Sequence, residues 1–555
     1  MAESKEQKLW QACTDGDLKT VEELADDPAV DLNWGDPEFG RTPFYRACGH
    51  GKLPVVEYLM KNPRVDVTKA QNAEATPFSI SCQQGFKEVV ALLLADPRVD
   101  PNKTTNTGAT PFFITCWNGH KEVVSLLLAD QRVDPIRPNK TETSPFFVAC
   151  ECGHKEVVVL LLADPRIDPN KPRDTGATPF FITCQKGHRE VVVLLLADPR
   201  VDPEKSTNTE TTPFYIACQQ GHKEVVSLLL ADPRIDSIRP NKTKTTPFYT
   251  ACENGHKEVV SLLLADPRTD PMEPRDTGAT PFFITCQKGH KEVVLLLLAD
   301  SRIDPSKSCN DGESPFSMAC RKGSKDVVLL LLANPKIDPD KAHNNGATPL
   351  WISVLCNRVE VVSLLLADPR IDPNKPTNNQ SSPLWVASFE GHLSAVQHLL
   401  ASGWDMNTKI KCVDTNTAAA EQGRLMPSIP KSASETEEEY QLTVTNGPLC
   451  GDLIDEYDRD PVAARYRLRR LPGLRVHFIG HLFALVVFYS DNFVAINERM
   501  AHSDTERFFK ITSQLPLDLQ MVLCNRIFGS PRDIILSRDS EPGFRLLART
   551  TTWQQ

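Results

Sequence analysis

The apolar positions of this chain come in short paired runs set between polar, proline-rich stretches. The segment TPFFITCWNGHKEVVSLLLADQRVDP, from Thr110 to Pro135, is representative. Thr110 suits a helix N-cap, Pro111 fits the first helical position because its missing N–H needs no partner there, and Gly119 closes the helix. A second helix is predicted from near His120, with Val123, Val124, Leu126, Leu127 and Leu128 covering a broad apolar face, and it stops before the prolines that follow. Helices of roughly eight to ten residues are marginal alone in water, so these two must pack on something to persist.

The spacing says what they pack on. A Thr-Pro or Ser-Pro pair followed by Phe or Leu recurs every 34 residues, at Thr42, Thr76, Thr110, Ser144, Thr178, Thr212, Thr246, Thr280, Ser314, Thr348 and Ser382, with no residue gained or lost between copies. Self-similarity at this period predicts a stacked array in which each copy is held by its neighbours.

The Thr-Pro start, the Gly119-His120 pair and the Val-Val-x-Leu-Leu-Leu run at Val123 to Leu128 resemble the ankyrin repeat, and the resemblance spans about Lys8 to Asn407. It implies an all-α, ankyrin-type solenoid of about 12 helix-turn-helix repeats joined by short hairpin loops. Residues 8–33 and 382–407 take the place of end caps. Two departures are systematic. Phe113, Phe147, Phe181, Tyr215, Tyr249 and Phe283 stand where the family usually has His, so aromatic packing is expected in place of that side chain's hydrogen bond. After the second helix, the family's Gly-Ala-Asp turn becomes Asp-Pro-Arg-Val-Asp, as at Asp96 to Asp100, which accounts for the extra residue per copy. The last unit reverts to Ser402-Gly403-Trp404-Asp405. A longer period lies above the short one: Ile136 to Pro169 resembles Ile238 to Pro271, so a block of three repeats is read as a tandem copy that could bind a repetitive partner.

In this family partners usually dock on hairpin tips and on the first, inner helices. By register the tips centre on Asn106, Lys140, Asp174, Asn208, Lys242, Asp276, Asn310 and Asn344. The column of inner-helix positions expected on the concave face reads Gln83, Trp117, Glu151, Gln185, Gln219, Glu253, Gln287, Arg321, Leu355 and Phe389. It turns apolar toward its C-terminal end. There Leu355 and Phe389, near Trp351 and Trp385, form either an exposed interaction patch or part of the packing of the last repeats. The function implied is a protein–protein interaction scaffold or adaptor.

Composition narrows the partners. A formal net charge of −10 argues against general nucleic-acid binding, which depends on neutralising phosphates. No run of eighteen apolar residues is present, and the start MAESKEQKLW lacks the apolar core of a secretion signal, so a cytoplasmic, monomeric protein is expected. Of 16 cysteines, nine (Cys48, Cys82, Cys116, Cys150, Cys184, Cys218, Cys252, Cys286 and Cys320) occupy one repeated helix position and read as small buried packing residues in a reducing compartment. Asn102, Asn139 and Asn241 match the glycosylation acceptor pattern and would stay bare there. The repeat histidines, such as His120, His154 and His188, are expected to hydrogen-bond at helix starts.

No catalytic motif stands out. Asp174-Thr175-Gly176 and Asp276-Thr277-Gly278 imitate the paired signature of aspartic proteases, but three repeats separate them by about 30 Å at helix-stacking distances, too far for two carboxylates to share a proton. They serve as turn residues. No phosphate loop, zinc-protease helix or nucleophile elbow occurs in the array, so neither enzymatic activity nor a cofactor is expected.

Beyond Asn407 the register is lost. Residues 408–439 read as a degenerate cap at Asn416 to Glu421 followed by an acidic linker, and residues 440–555 as a small, mostly helical domain. Ser434-Glu435-Thr436-Glu437 is either a phosphorylation site or a capping box for a helix through Tyr440. Asp460 and Pro461 start a helix to Leu471 whose Arg465, Arg467, Arg469 and Arg470 form a solvated face or meet an acidic partner or anionic membrane. Val476 to Tyr489 is a core helix or strand pair, and further helices are expected at Phe508 to Leu515 and Asp518 to Phe528. His477 and His481 would share a helix face but lack the further ligands zinc needs, and Cys524 has no visible base. The alternative function is an enzyme or membrane-recruitment module in this segment, with the repeats selecting the partner.

Overall fold

The computed structural model describes residues 4–412, 418–425, 437–471 and 474. Among them every regular element is a helix, and the only β-type contact is the isolated bridge between Lys411 and Ala418. Two compact units divide the chain, Met1–Glu273 and Pro274–Gln555.

The first unit is a stack of eight helix pairs, from Lys5–Asp15 with Leu18–Ala25 to Pro247–Glu253 with Lys257–Ala265. In the second unit four further pairs run from Pro281–Lys288 with Lys291–Leu298 to Pro383–Phe389 with Leu393–Ala401. Within each unit, inner helices contact inner helices of the neighbouring pair and outer helices contact outer ones.

The local chemistry repeats rung by rung. Each Thr or Ser of the Thr-Pro or Ser-Pro pair is extended and accepts, through its hydroxyl, the N–H three residues on; Thr110 Oγ1 takes that of Phe113 at 3.1 Å. Gly119 ends the inner helix in the left-handed conformation, φ 77°. A Cβ at Gly119 would lie 2.5 Å from Nδ1 of His154 in the next rung, so both backbone conformation and interlocking require glycine there.

The core is built from the same positions in every copy. Phe112, Phe113, Cys116, Val123, Val124 and Leu127 are fully or almost fully buried. Each large apolar side chain so covered is worth about 2 kcal/mol relative to exposure, a gain available only to stacked copies. Leu126 and Leu128, expected on the apolar face, are half-buried. The aromatics in place of the family's His are buried throughout, as at Phe147 and Tyr215. The nine repeat cysteines are buried free thiols, and burial pushes the Cys82 thiol up to about 12.

The stack continues past Asn407. Helix Ala419–Leu425, in the place of the expected degenerate cap, packs on the inner helix Pro383–Phe389. A helix at Glu437–Arg459 packs against it and against Leu393–Ala401, with Pro448 inside it. The stretch read as linker through residue 439 thus already contains the start of a helix. Asp460 caps the next helix, Pro461–Leu468, accepting from the N–H groups of Val462 and Ala463. It ends three residues before Leu471 and also packs on Leu393–Ala401.

Candidate functional site

Three inter-rung links hold the surfaces on which partners were expected. The first comes from the repeat histidines. His120 Nε2 lies 2.8 Å from the carbonyl oxygen of Gln83, His154 the same distance from Trp117, His188 2.9 Å from Glu151, His222 2.8 Å from Gln185 and His256 2.8 Å from Gln219. A carbonyl can only accept, so Nε2 carries the hydrogen. In the second unit Arg358 does the same for Arg321 and His392 for Leu355. This corrects the helix-start role: the outer helix at His120 has no side-chain cap bond, and the ring reaches back 37 residues. Its acceptors are the backbones of the expected partner-binding column.

The second link is the Asp-Pro-Arg turn. Arg200 Nη2 donates to Asp198 at 2.7 Å and to the Leu162 carbonyl, 38 residues earlier, at 2.7 Å. Arg234 repeats this with Asp232 and Leu196, and in the second unit Arg370 with Asp368 and Leu332. The guanidinium hydrogen bond holds the Asp198 carboxyl below the usual carboxylate range. The carbonyls served belong to outer-helix C-termini, where orphan acceptors carry partial negative charge.

The third link joins hairpin tips. Lys140 N–H donates to Thr107 O and Asn208 N–H to Thr175 O, while the Asn208 side chain donates to Asp174 O at 3.0 Å. Asn310 bonds Asp276 in the same way within the second unit. Asn106, Lys140, Asp174, Asn208, Lys242, Asp276, Asn310 and Asn344 are all exposed.

The inner-helix column is less uniform than its spacing suggests. Gln83 and Trp117 are exposed, whereas Glu151, Gln185, Gln219, Glu253, Gln287, Arg321, Leu355 and Phe389 are half-buried. Trp117 is 56% exposed and meets Phe113 edge to face, ring centroids 6.0 Å apart. Glu151 is 3.9 Å from Lys186, and Arg321 donates to buried Glu313 at 2.8 Å. At the C-terminal end packing prevails over an open patch: Trp385 is 7% exposed and stacks on Phe389 with centroids 5.1 Å apart, and the Trp351 indole donates to Ser381.

Two arginines of the helix Pro461–Leu468 and its flank, Arg465 and Arg469, are half-buried, whereas Arg467 and Arg470 are exposed. Arg465 donates to the Trp404 carbonyl and the Tyr457 hydroxyl, and Arg469 to the Ala401 carbonyl at 2.9 Å. Arg467 pairs with Glu456. Two of the four charges expected on a solvated face, Arg465 and Arg469, are therefore used to close the end of the outer helix Leu393–Ala401 and the turn after it, while the Arg467–Glu456 pair stays at the surface. Among the described residues there is no group of three or more His, Cys, Asp or Glu placed to hold a metal, and no helix is long and apolar enough to cross a membrane. His477, His481, Cys524, the segments Val476 to Tyr489, Phe508 to Leu515 and Asp518 to Phe528, and Ser434 to Thr436 lie outside the described residues.

Sequence reasoning missed the backbone targets of the histidines and arginines and one further link, in which Asn102 Nδ2 donates to Arg132 O at 2.6 Å and its Oδ1 accepts from Asp134 N–H at 2.8 Å. The recurrence of Asn at 102, 170 and 374 was the available signal.

Paired helices with a Thr-Pro cap, a glycine stop and rung-to-rung contacts define an ankyrin-type repeat array. The sequence model described as ankyrin repeats (3 copies) matches residues 9–105, 78–173, 180–273, 236–306, 251–343 and 335–410. The chain belongs to the ankyrin repeat family, whose arrays are in general protein–protein interaction modules. Among solved structures it is similar to the ankyrin repeat domain of Bcl-3, a unique member of the IkappaB protein family, at 24% identity, 42% coverage of this chain, 97% coverage of that chain and a TM-score of 0.34. No curated protein matches the chain.

Proposed function

We propose that this chain is a protein-binding scaffold or adaptor that holds partner polypeptides on the concave face formed by its inner helices and on its hairpin tips. The observation carrying this reading is Trp117. It is a large aromatic left 56% exposed in the column, backed by Phe113 and anchored through its carbonyl by His154. Rigid exposed aromatics of this kind dominate binding energy because they bury much area at little ordering cost. Glu151 and Gln185 continue the column beside it, and Lys140 and Asp174 supply charges of both signs at the tips. The protein acts as a cytoplasmic monomer, binds protein rather than nucleic acid given its net charge of −10, and uses no cofactor and no covalent chemistry.

The test is to capture partners on the full chain and titrate each purified partner against wild type and Trp117→Ala by calorimetry. The reading requires at least one saturable protein partner whose affinity falls on Trp117→Ala while the fold is retained. Partners that bind the variant unchanged would remove the concave face from the proposal.

A further inference from the structure

A second candidate binding site lies away from the inner-helix column, at Ile136, one of the seven positions (Thr68, Ile136, Glu204, Ile238, Met272, Ser306 and Asp340) where the repeat register lacks a linking asparagine. At four rungs an Asn two residues after the Asp of the loop between repeats, following Asp-Leu at Asn33 and Asp-Pro at Asn102, Asn170 and Asn374, acts as a peptide-like bridge to the next rung. Asn33 donates to Arg64 O at 2.7 Å and accepts from Asp66 N–H at 2.7 Å. Asn102 does so with Arg132 and Asp134, Asn170 with Arg200 and Asp202, and Asn374 with Asp405 and Asn407. A carboxamide fits because it offers one donor and one acceptor side by side.

At the rung between Asn102 and Asn170 the equivalent residue is Ile136. It cannot bridge. Among the described residues nothing donates to the Arg166 carbonyl and nothing accepts from the Asp168 N–H, the pair that an asparagine here would serve. A second link is also missing. Lys69, Lys205, Lys341 and Lys375 each donate to a backbone carbonyl of the preceding rung, and Lys171 makes no such bond.

The broken rung opens into a cavity of about 490 Å³. That is within the ~300–1,000 Å³ typical of ligand pockets. Its apolar walls are Pro135, Ile136, Pro138, Phe146 and Ile167, and Ile136 is 52% exposed. Arg137 and Lys171 stand exposed at its lining. Arg166, also in the wall, is committed to Asp164 at 2.6 Å. The site thus presents an unbridged backbone donor and acceptor, an apolar hollow and two cations, Arg137 and Lys171, that form no ion pair among the described residues, although the carboxylates of Asp134 and Asp168 line the same cavity, each accepting from a backbone N–H.

We propose that this cavity binds an extended peptide segment of a partner protein, inserting an Asn or Gln carboxamide between the Arg166 carbonyl and the Asp168 N–H. A neighbouring apolar residue fills the hollow against Ile136 and Phe146, and an acidic residue meets Arg137 and Lys171. The chain itself supplies the template, since its own carboxamides satisfy the same backbone pair at four other rungs. The copied block does not reproduce the site: around Ile238, Thr269 replaces Ile167 and Glu273 replaces Lys171, removing part of the apolar wall and reversing a charge.

The experiment selects a display library of short random peptides on the full chain. Wild type should enrich peptides carrying Asn or Gln beside an apolar and an acidic residue. A synthetic enriched peptide should bind Ile136→Asn about tenfold or more weakly, because the variant fills the bridge with its own amide. Lys171→Glu should weaken the same peptide, and replacing the peptide's Asn or Gln by Leu should do likewise. Ile136→Asn should melt no lower than wild type, since it gains two hydrogen bonds; a lower melting temperature would count against the geometry. No enrichment, equal binding to wild type and Ile136→Asn, or site-dependent binding of peptides lacking Asn and Gln would overturn the proposal. Trp117→Ala serves as the separate arm: peptides lost on that variant and retained by Ile136→Asn would support the concave face and overturn this site.

Discussion

His154 donates its Nε2–H to the carbonyl oxygen of Trp117, 37 residues earlier, at 2.8 Å. The exposed aromatic of the inner-helix column and the outer helix of the following repeat are thereby fastened together. The two residues should separate stability from binding. Trp117→Ala removes exposed surface and should leave the melting temperature nearly unchanged while weakening a concave-face partner by about 2 kcal/mol or more. His154→Ala removes one inter-rung bond and should cost about 1 kcal/mol of stability, with a smaller loss of affinity. Thermal melts and calorimetric titration of both variants check the separation, and equal losses of stability would contradict it.

Gly119 tests the interlock from the other side. Its φ of 77° disfavours any side chain, and an added Cβ would approach the His154 ring to 2.5 Å. Gly119→Ala should therefore cost about 1–3 kcal/mol, combining left-handed backbone strain with displacement of the ring. Gly403 is the control, because a Cβ there meets nothing within 4 Å. Chemical denaturation should show a lower midpoint for Gly119→Ala and almost none of that loss for Gly403→Ala.

The turn after each outer helix offers a comparison within one molecule. Arg370 reaches the Leu332 carbonyl 38 residues back, and in the last unit, where the Asp-Pro-Arg turn is lost, the Trp404 indole reaches Leu366 over the same interval at 2.8 Å. The indole takes over the role of a guanidinium in closing the preceding outer helix. Trp404→Phe keeps the ring and deletes the donor, and should cost about 1 kcal/mol. Arg200→Lys should cost less, about 0.5–1 kcal/mol, because its ion pair with Asp198 is partly screened by solvent and only the forked geometry is lost. Denaturant midpoints of the two variants give the order.

Much of the fold was legible because it depends on rules local to one copy. Thr110 caps its own helix, Gly119 ends it, and Val123, Val124 and Leu127 mark a buried face, so 34-residue spacing of such signals identifies the stack. The links between copies were not legible in the same way. His120, Arg200 and Asn102 act on carbonyls 30 to 38 residues away, and periodicity alone does not say which atom of one rung faces which atom of the next. The column showed a related limit: Trp117 and Gln185 share a register, yet only the larger side chain stands clear of its neighbours. Charge misled at Arg465 and Arg469, since a basic helix looks the same in sequence whether it faces solvent or closes another helix's C-terminus.

The second unit should respond to mild acid through His343. This ring is 2.8 Å from Ser317 Oγ and 3.8 Å from Glu313, which is itself bound by Arg321, with Asp311 nearby. Burial lowers its pKa, outweighing the opposite pull of Glu313, while Arg321 lowers it further and Asp311 raises it. His392 and His398 are also lowered, chiefly by burial. A histidine whose folded pKa lies below its unfolded value of about 6.5 takes up protons preferentially when unfolded, so its contribution to stability is present above that value and is lost as pH falls through the folded pKa. Hydrogen exchange of the full chain should therefore show protection of the helices Pro315–Lys322 and Pro349–Leu355 falling between pH 7 and the folded pKa. His343→Gln, which can still bond Ser317 but cannot titrate, should flatten that pH dependence. An equally steep fall in the variant would place the sensitivity elsewhere, and protection that rises on acidification would reverse the sign argued for the ring.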